Sequence, residues 1–296
     1  MIVKNIKGNT FCIDTGMTYI PFYKINDDEI IMLDSGLKKG ERRRINDFLE
    51  QNNLKIAAII CSHAHIDHIG NNAYFKEKYN CIIAMSECEA FFCSSILNLK
   101  IYYSSQSMSE VEKHLGHMIC GTDIVISNSQ DKVNVCGIEF KIMHTPGHSP
   151  GHICIITPDD VAYLADSLIS YEVMKGAKMP YAYILKQDLE SKSKLYDLKY
   201  SKYIVAHKGI YDDITQLVTD NIEFYKSRAY RIYDIVEGKM TMQEIFSAVI
   251  TDFKIPIGSI YKYDVIERML RSYVEYLYEI GMLKLNIENG LLKYLK

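Results

Sequence analysis

Nowhere in the 296 residues do roughly 18 uncharged apolar residues run together, so the sequence offers no membrane-spanning helix. The first sixteen residues lack a basic stretch followed by a long apolar run, which argues against a secretory signal. Charge of one sign is missing as well. With 34 Lys and Arg against 37 Asp and Glu, the net charge of -3 excludes a bulk pull toward nucleic acid or anionic membrane and leaves only local patches. There are eight cysteines but no C-x-x-C pair. Cys12, Cys61, Cys81, Cys88, Cys93, Cys120, Cys136 and Cys154 are scattered, mostly inside apolar segments. They read as free, largely buried thiols in a reducing compartment, so the cytoplasm is expected. Tryptophan is absent beside 23 tyrosines, and nothing functional follows from that. Internal repeats and low-complexity segments are also lacking.

What remains is an ordinary globular composition, 48% hydrophobic and 24% charged, long enough for one large core or two unequal domains. Up to about residue 210, short apolar strands alternate with turns and some helices. Strands are predicted at Ile2–Ile6, Thr10–Asp14, Met17–Tyr23, Glu29–Asp34, Lys55–Cys61, Cys81–Met85, Asp123–Ile126, Lys132–Val135, Ile138–His144, His152–Ile156, Val161–Ala165 and Tyr203–Ala206. Lys39–Asn52 carries Ile45, Phe48 and Leu49 at helical spacing, and Ser86–Gly121 reads as a helical stretch that could cover a site. The pattern suggests an α/β sandwich with helices outside two sheets. Beyond Asp212 the character is helical, over Ile214–Glu237, Thr241–Ile250 and Tyr263–Gly281. A hairpin about Glu288-Asn289-Gly290 closes the chain. The expected organisation is a catalytic domain at 1–210, a linking helix at 211–231 and a small winged-helix-like domain at 232–296.

The chemistry concentrates in Ser62-His63-Ala64-His65-Ile66-Asp67-His68-Ile69-Gly70, directly after a buried strand. His63 and His65 alternate onto one side of an extended segment and can meet one ion, while Asp67 and His68 can face a second position as the chain turns. A solvated His-rich turn is the plain alternative, but apolar residues bracket the motif, and so dense a polar cluster suits no core. In His144-Thr145-Pro146-Gly147-His148, Pro and Gly force a tight loop that presents His148, the third imidazole of a first metal site. His144 and His152 are assigned packing or hydrogen bonding along that loop. Asp166 ends a strand, where a lone aspartate is more often a helix N-cap but here could bridge two ions. His207 ends another strand; by itself a structural histidine, in this company it completes a second site with Asp67 and His68. These nitrogen and oxygen donors suit zinc first, with iron or manganese as alternatives.

These motifs, in this order, resemble the metallo-β-lactamase superfamily over about residues 1–210. The resemblance implies an αββα sandwich and a two-metal hydrolase in which a water shared by the metals serves as the nucleophile and Asp67 orients it. It further implies that Asp34, in Leu33-Asp34-Ser35-Gly36, supports the site without binding metal. Two departures are Ala165 and Ala206, where a glycine is common before the aspartate and the last histidine. Asp166, and the lack of a signal, set the chain apart from the exported antibiotic-hydrolysing members, leaving β-lactamase activity as a minor or promiscuous function. The run His148–Cys154 looks like the same loop of glyoxalase II thioesterases, although no basic glutathione-binding cluster is visible in the C-terminal region. Over the whole chain the likeness is to the β-lactamase-like protein 2 type, which adds a C-terminal winged helix and includes single-strand endoribonucleases.

RNA is therefore an alternative to a small-molecule ester, thioester, lactone or amide. Residues 210–296 carry 11 Lys and Arg against 13 Asp and Glu, a poor footprint for RNA. The stripe Val265, Met269, Tyr273, Tyr276 and Ile280 favours packing, or a homodimer through this module, over RNA binding.

Overall fold

The computed structural model describes residues 2–296. Seven strands form the first sheet in sequence order: β1 (Ile2–Lys7), β2 (Thr10–Asp14), β3 (Tyr19–Lys24), β4 (Glu29–Leu33), β5 (Lys55–Ile60), β6 (Ile82–Ser86) and β7 (Ile124–Ile126). The second sheet has the order β13-β12-β11-β10-β9-β8, from β8 (Lys132–Val135), β9 (Ile138–His144), β10 (Ile153–Ile156), β11 (Val161–Ala165), β12 (Lys202–Val205) and β13 (Gly209–Tyr211). β4 shows why the sheets face each other. Ile31 and Leu33 point into the layer between the sheets with Phe140, Ile155 and Tyr163, while Ile30 and Met32 point outward beside Ile45 and Leu49. A strand buried on both faces reads as a continuous apolar run, as Lys55–Cys61 does.

Helices α1 (Arg42–Gln51), α2 (Ile66–Ile69), α3 (Asn72–Tyr79), α4 (Glu87–Cys93), α5 (Ile96–Tyr102) and α6 (Met108–Leu115) follow on the first sheet's side. Next come α7 (Tyr171–Gly176) and α8 (Leu185–Lys194), then α9 (Thr215–Ile235), α10 (Met242–Asp252) and α11 (Ile260–Glu279). Ile214, Leu217 and Val218, at the start of α9, cover the outer face of the second sheet. The sequence reading did not anticipate α3, α7 or α8. α8 buries Asp188, Ser191 and Lys192 among its apolar residues, so no clean stripe betrays it. The predicted strand from Met17 begins at Tyr19, because Thr15 and Thr18 close a turn by mutual hydrogen bonds.

The hairpin β14 (Lys284–Glu288) and β15 (Leu291–Leu295) follows α11, giving helices and then two antiparallel strands in chain order. Its core is shared. Ile169, Met179, Leu185 and Leu189 pack into one cluster with Tyr225, Phe246, Leu270 and Tyr273. Tyr273 donates to Pro180 O (2.8 Å), and Leu185 N donates to Ser272 Oγ (2.9 Å). Met269, Tyr273 and Tyr276 of the apolar stripe are thus buried within the chain. No helix among the described residues is long and apolar enough to cross a membrane.

Candidate metal centre

β4 and β5 run parallel, as do β11 and β12, and β9 reaches the same edge through the antiparallel pair β9–β10. Carboxyl ends of strands from both sheets therefore open on one rim, where backbone polarity and loop ends favour ligand sites. Asp34 follows β4, the His63–His68 segment follows β5, His148 sits in the β9–β10 loop, Asp166 follows β11 and His207 follows β12. The loop of His148 depends on Gly147. Its φ of 130° is left-handed, and a Cβ there would collide with the backbone of Asp188 on α8.

All seven predicted donors come together, in two groups. His63, His65, His148 and Asp166 form one and Asp67, His68 and His207 the other, each with its ligating atoms within 4.8 Å of one another. In the first, His65 Nδ1 lies 2.8 Å from His63 Nε2 and 3.1 Å from His148 Nε2. Asp166 Oδ2 lies 3.2 Å from His148 Nε2 and 3.5 Å from His68 Nε2, while its Oδ1 lies 3.5 Å from His207 Nε2. The aspartate thus stands between the groups. Asp67 Oδ2 is 3.3 Å from His207 Nε2 and 3.8 Å from His68 Nε2.

A tetrahedral ion with bonds of ~2.0–2.1 Å holds its donors ~3.3 Å apart, so these spacings fit a small divalent cation in each group. The unpaired atoms say the same: His68 Nε2 and Asp166 Oδ1 are buried without a hydrogen-bond partner. Lone pairs packed this closely repel unless a cation sits among them. The donor set fits divalent metal ions.

Electrostatics follow from the same crowding. Burial, then the neighbouring imidazoles, pushes His63 and His65 well below the usual histidine range. Burial would also lower His68, but Asp166, Asp67 and Asp34 outweigh it and hold its pKa well above normal. Asp166 is the main cause that lifts His207 to about 10. Burial works against ionising Asp67, yet His68 and His207 prevail and keep it below the carboxylate range.

A supporting layer fixes each imidazole. Asp34, at a left-handed φ of 67°, accepts from Ser62 N (2.7 Å), Ser62 Oγ (2.6 Å), Tyr163 Oη (2.7 Å) and His68 Nδ1 (2.8 Å). The last bond leaves the His68 Nε2 lone pair facing the cluster. Since the Ser62 hydroxyl is spent on Asp34, His63 Nδ1 donates to Ser62 Oγ (3.0 Å), which aims His63 Nε2 inward. His152 accepts from Asp166 N at Nε2 (3.3 Å) and donates from Nδ1 to Thr145 Oγ1 (2.8 Å); His144 Nε2 donates to Gln130 O (2.8 Å). Both are the hydrogen-bonding roles expected for them.

Two residues in the helical stretch escaped the sequence reading. Glu89 on α4 is buried and accepts from Ala64 N (2.8 Å), Ser149 Oγ (2.6 Å) and Gly151 N (2.8 Å), tying the two histidine loops together. Tyr102 on α5 places its hydroxyl 3.0 Å from His65 Nε2. A glutamate at the start of a helix looks like a dipole-favoured first-turn residue, so only its burial could have flagged it.

The centre floors a cavity of about 290 Å³, walled by Ile169, Val173 and Pro180 from the α7 region and by Tyr261, Val265 and Arg268 from α11.

Comparison with known proteins agrees with this construction. A probable metallo-hydrolase of Bacillus subtilis is 27% identical over 153 residues, 52% of this chain and 64% of that protein. A hydroxyacylglutathione hydrolase of Rhizobium meliloti is 26% identical over 131 residues, 44% of this chain, and the chain spans only 41% of that protein's length. In fold, a metallo-beta-lactamase family protein of Thermus thermophilus superposes with a TM-score of 0.70 at 17% identity, over 94% of this chain and 93% of that one. A beta-lactamase domain protein of Burkholderia ambifaria gives 0.72 at 12%, over 99% and 94%. The family model of the metallo-beta-lactamase superfamily matches residues 13–207, the stretch that holds every donor of both groups, and the chain belongs to that superfamily.

Proposed function

We propose that the chain hydrolyses an acyl bond, in an ester, thioester, lactone or amide of a small molecule, at two divalent ions held by His63, His65, His148, Asp67, His68, His207 and the shared Asp166. The observation that carries this reading is the size and character of the space above the centre. At about 290 Å³ it lies near the small end of ligand cavities, and its walls are largely apolar side chains. Relatives named hydroxyacylglutathione hydrolase, at 25–29% identity, support an acyl substrate. Zinc is the first choice, with iron or manganese compatible with the same donors.

When bound, the ions would supply Lewis acidity and a water of lowered pKa. The chain's own contribution starts with Asp67. Its side chain is 30% exposed, lines the cavity and borders both His68 and His207, so it can orient a water and accept its proton at the carboxylate oxygen that an ion leaves free. Tyr261 and Val265 wall the cavity on the α11 side, and the Glu89 and Asp34 networks keep the imidazoles from rotating away. The free cysteines support a reducing compartment, the cytoplasm.

One observation favours a second reading, cleavage of RNA. Lys175, Lys178, Arg228, Arg231 and Lys254 line a cleft of about 310 Å³ that shares Ala177 with the cavity, with Asp252 the sole acid on its wall. The deciding experiment assays the zinc-loaded full chain against thioesters, esters, lactones, β-lactams, phosphodiesters and single-stranded RNA. We expect turnover of an acyl substrate and a loss of about 10²–10⁴-fold in Asp67→Ala. Cleavage of RNA with a steep salt dependence, and no acyl turnover, would transfer the proposal to the second reading.

A further inference from the structure

Arg268 enters the same cavity from α11, opposite in sequence to everything in the metal centre. Its guanidinium carbon lies 4.7 Å from the ring centre of Tyr103, 5.1 Å from Tyr102, 5.3 Å from Tyr181 and 5.9 Å from Tyr183. Aromatic faces attract a cation but accept no strong hydrogen bond. Of its five N–H donors, Nη1 makes a long bond to Tyr102 O (3.3 Å), and Nε is buried with no acceptor. Among the described residues, the ion pairs include no carboxylate partner for it. A second orphan lies on the same wall: the buried Tyr181 hydroxyl is without a hydrogen-bond partner.

A half-buried guanidinium that faces rings and no carboxylate, with its Nε buried and unpaired, is costly unless something completes it. Tyrosine faces explain the tolerance of its charge but leave its planar fork unused, and a fork is what recognises an oxyanion. We propose that Arg268 and the Tyr181 hydroxyl form a subsite for a terminal oxyanion of the substrate, a carboxylate or a phosphate, while the scissile bond lies at the metal centre. The proposal rests on the cavity being the substrate site of the hydrolase reading above. It makes the substrate an acidic molecule, and it gives the C-terminal module a part in specificity: α11 brings the charge that the catalytic region lacks at this wall.

The test uses the zinc-loaded full chain and matched aryl thioesters: a succinyl half-thioester, its neutral methyl ester, and a phosphate-bearing analogue. The wild type should favour an anionic form over the neutral one by about 10–100-fold in kcat/KM, carried mainly by KM. The carboxylate and phosphate arms identify which oxyanion fits. Arg268→Met should erase that preference by raising KM for the anionic forms far more than for the neutral thioester, Arg268→Lys should restore part of it, and Tyr181→Phe should erase part of it at an unchanged melting temperature. Equal rates on charged and neutral forms in the wild type, or equal slowing of both in Tyr181→Phe and Arg268→Met, would overturn the subsite. Calorimetry with glutarate and inorganic phosphate separates the two proposals. Binding that Arg268→Met abolishes, in a protein that turns over none of the thioesters, upholds the subsite and defeats the acyl-hydrolase reading. Glutarate and phosphate binding that is the same in wild type and Arg268→Met defeats the subsite.

Discussion

Replacing Asp34 with asparagine separates the two metal positions. The Asp34 carboxylate accepts four hydrogen bonds, from Ser62 N, Ser62 Oγ, Tyr163 Oη and His68 Nδ1. An asparagine that keeps its oxygen toward Ser62 N must turn its NH₂ toward the other three donors. The two hydroxyls can rotate and accept instead. The imidazole cannot rotate its proton away; it must change tautomer, which places a proton on Nε2, the atom that faces Asp67 and Asp166. Turning the amide over instead sets NH₂ against the Ser62 backbone N–H, with no relief. The lost charge-assisted bond is worth about 1.5–3 kcal/mol, and removing such a support costs about 10–100-fold in metal affinity. His65 keeps its support in Tyr102, and neither it nor His148 bonds to Ser62 or Asp34, so the first group loses at most the hold of Ser62 on His63. Equilibrium dialysis against graded free zinc should therefore show the first equivalent of Asp34→Asn bound nearly as tightly as in the wild type and the second weakened by that factor. Tyr163→Phe removes one donor to the same oxygen and should leave both equivalents nearly intact. If both equivalents of Asp34→Asn weakened together, or neither did, the assignment of His68 to a separate group through Asp34 would be wrong.

Glu89→Ala leaves Ala64 N, Gly151 N and Ser149 Oγ without their buried acceptor, so we expect a loss of about 2–6 kcal/mol in urea unfolding; a change under about 1 kcal/mol would remove Glu89 as the tie between the loops. His207 is held at about 10, so it carries a proton near pH 7.5 when protein charges alone face it, and the same carboxylates push His68 upward. Zinc uptake should then expel about one to two protons, read from the buffer dependence of calorimetric heats, and apparent affinity should fall as pH falls from 8 to 6 because protons compete for the same nitrogens. A pH-independent affinity would contradict those raised values. Ala165 and Ala162 share a strand and are both buried, but Ala165 has a φ of 46°. Ala165→Gly should be near neutral in melting temperature while Ala162→Gly costs about 1–2 kcal/mol more, the left-handed penalty that glycine escapes.

The candidate donors and the sandwich were legible in the chain alone. Four ligand-type side chains within His63–His68 leave few other roles for them, and strands such as Lys55–Cys61, apolar on both faces, can exist only between two layers. The support role of Asp34 came from the family resemblance of Leu33-Asp34-Ser35-Gly36 rather than from the residues alone. What the sequence could not reveal depends on long-range approach. Glu89, Tyr102 and Tyr181 have no distinguishing neighbours in the chain, and each gains its role from a residue far along it: Ala64 with Gly151, His65, and Arg268 respectively. Charge counting over 210–296 likewise missed the basic cleft, because Lys175 and Lys178 join Arg228, Arg231 and Lys254 only after α7 packs beside α9 and α10. The stripe on α11 has its own period, and Tyr273 on it is buried beside Leu185 and Leu189 and donates to Pro180 O. Periodicity reports that a face must be buried; only the fold decides against what, and here that choice also sets Arg268 above the metal centre.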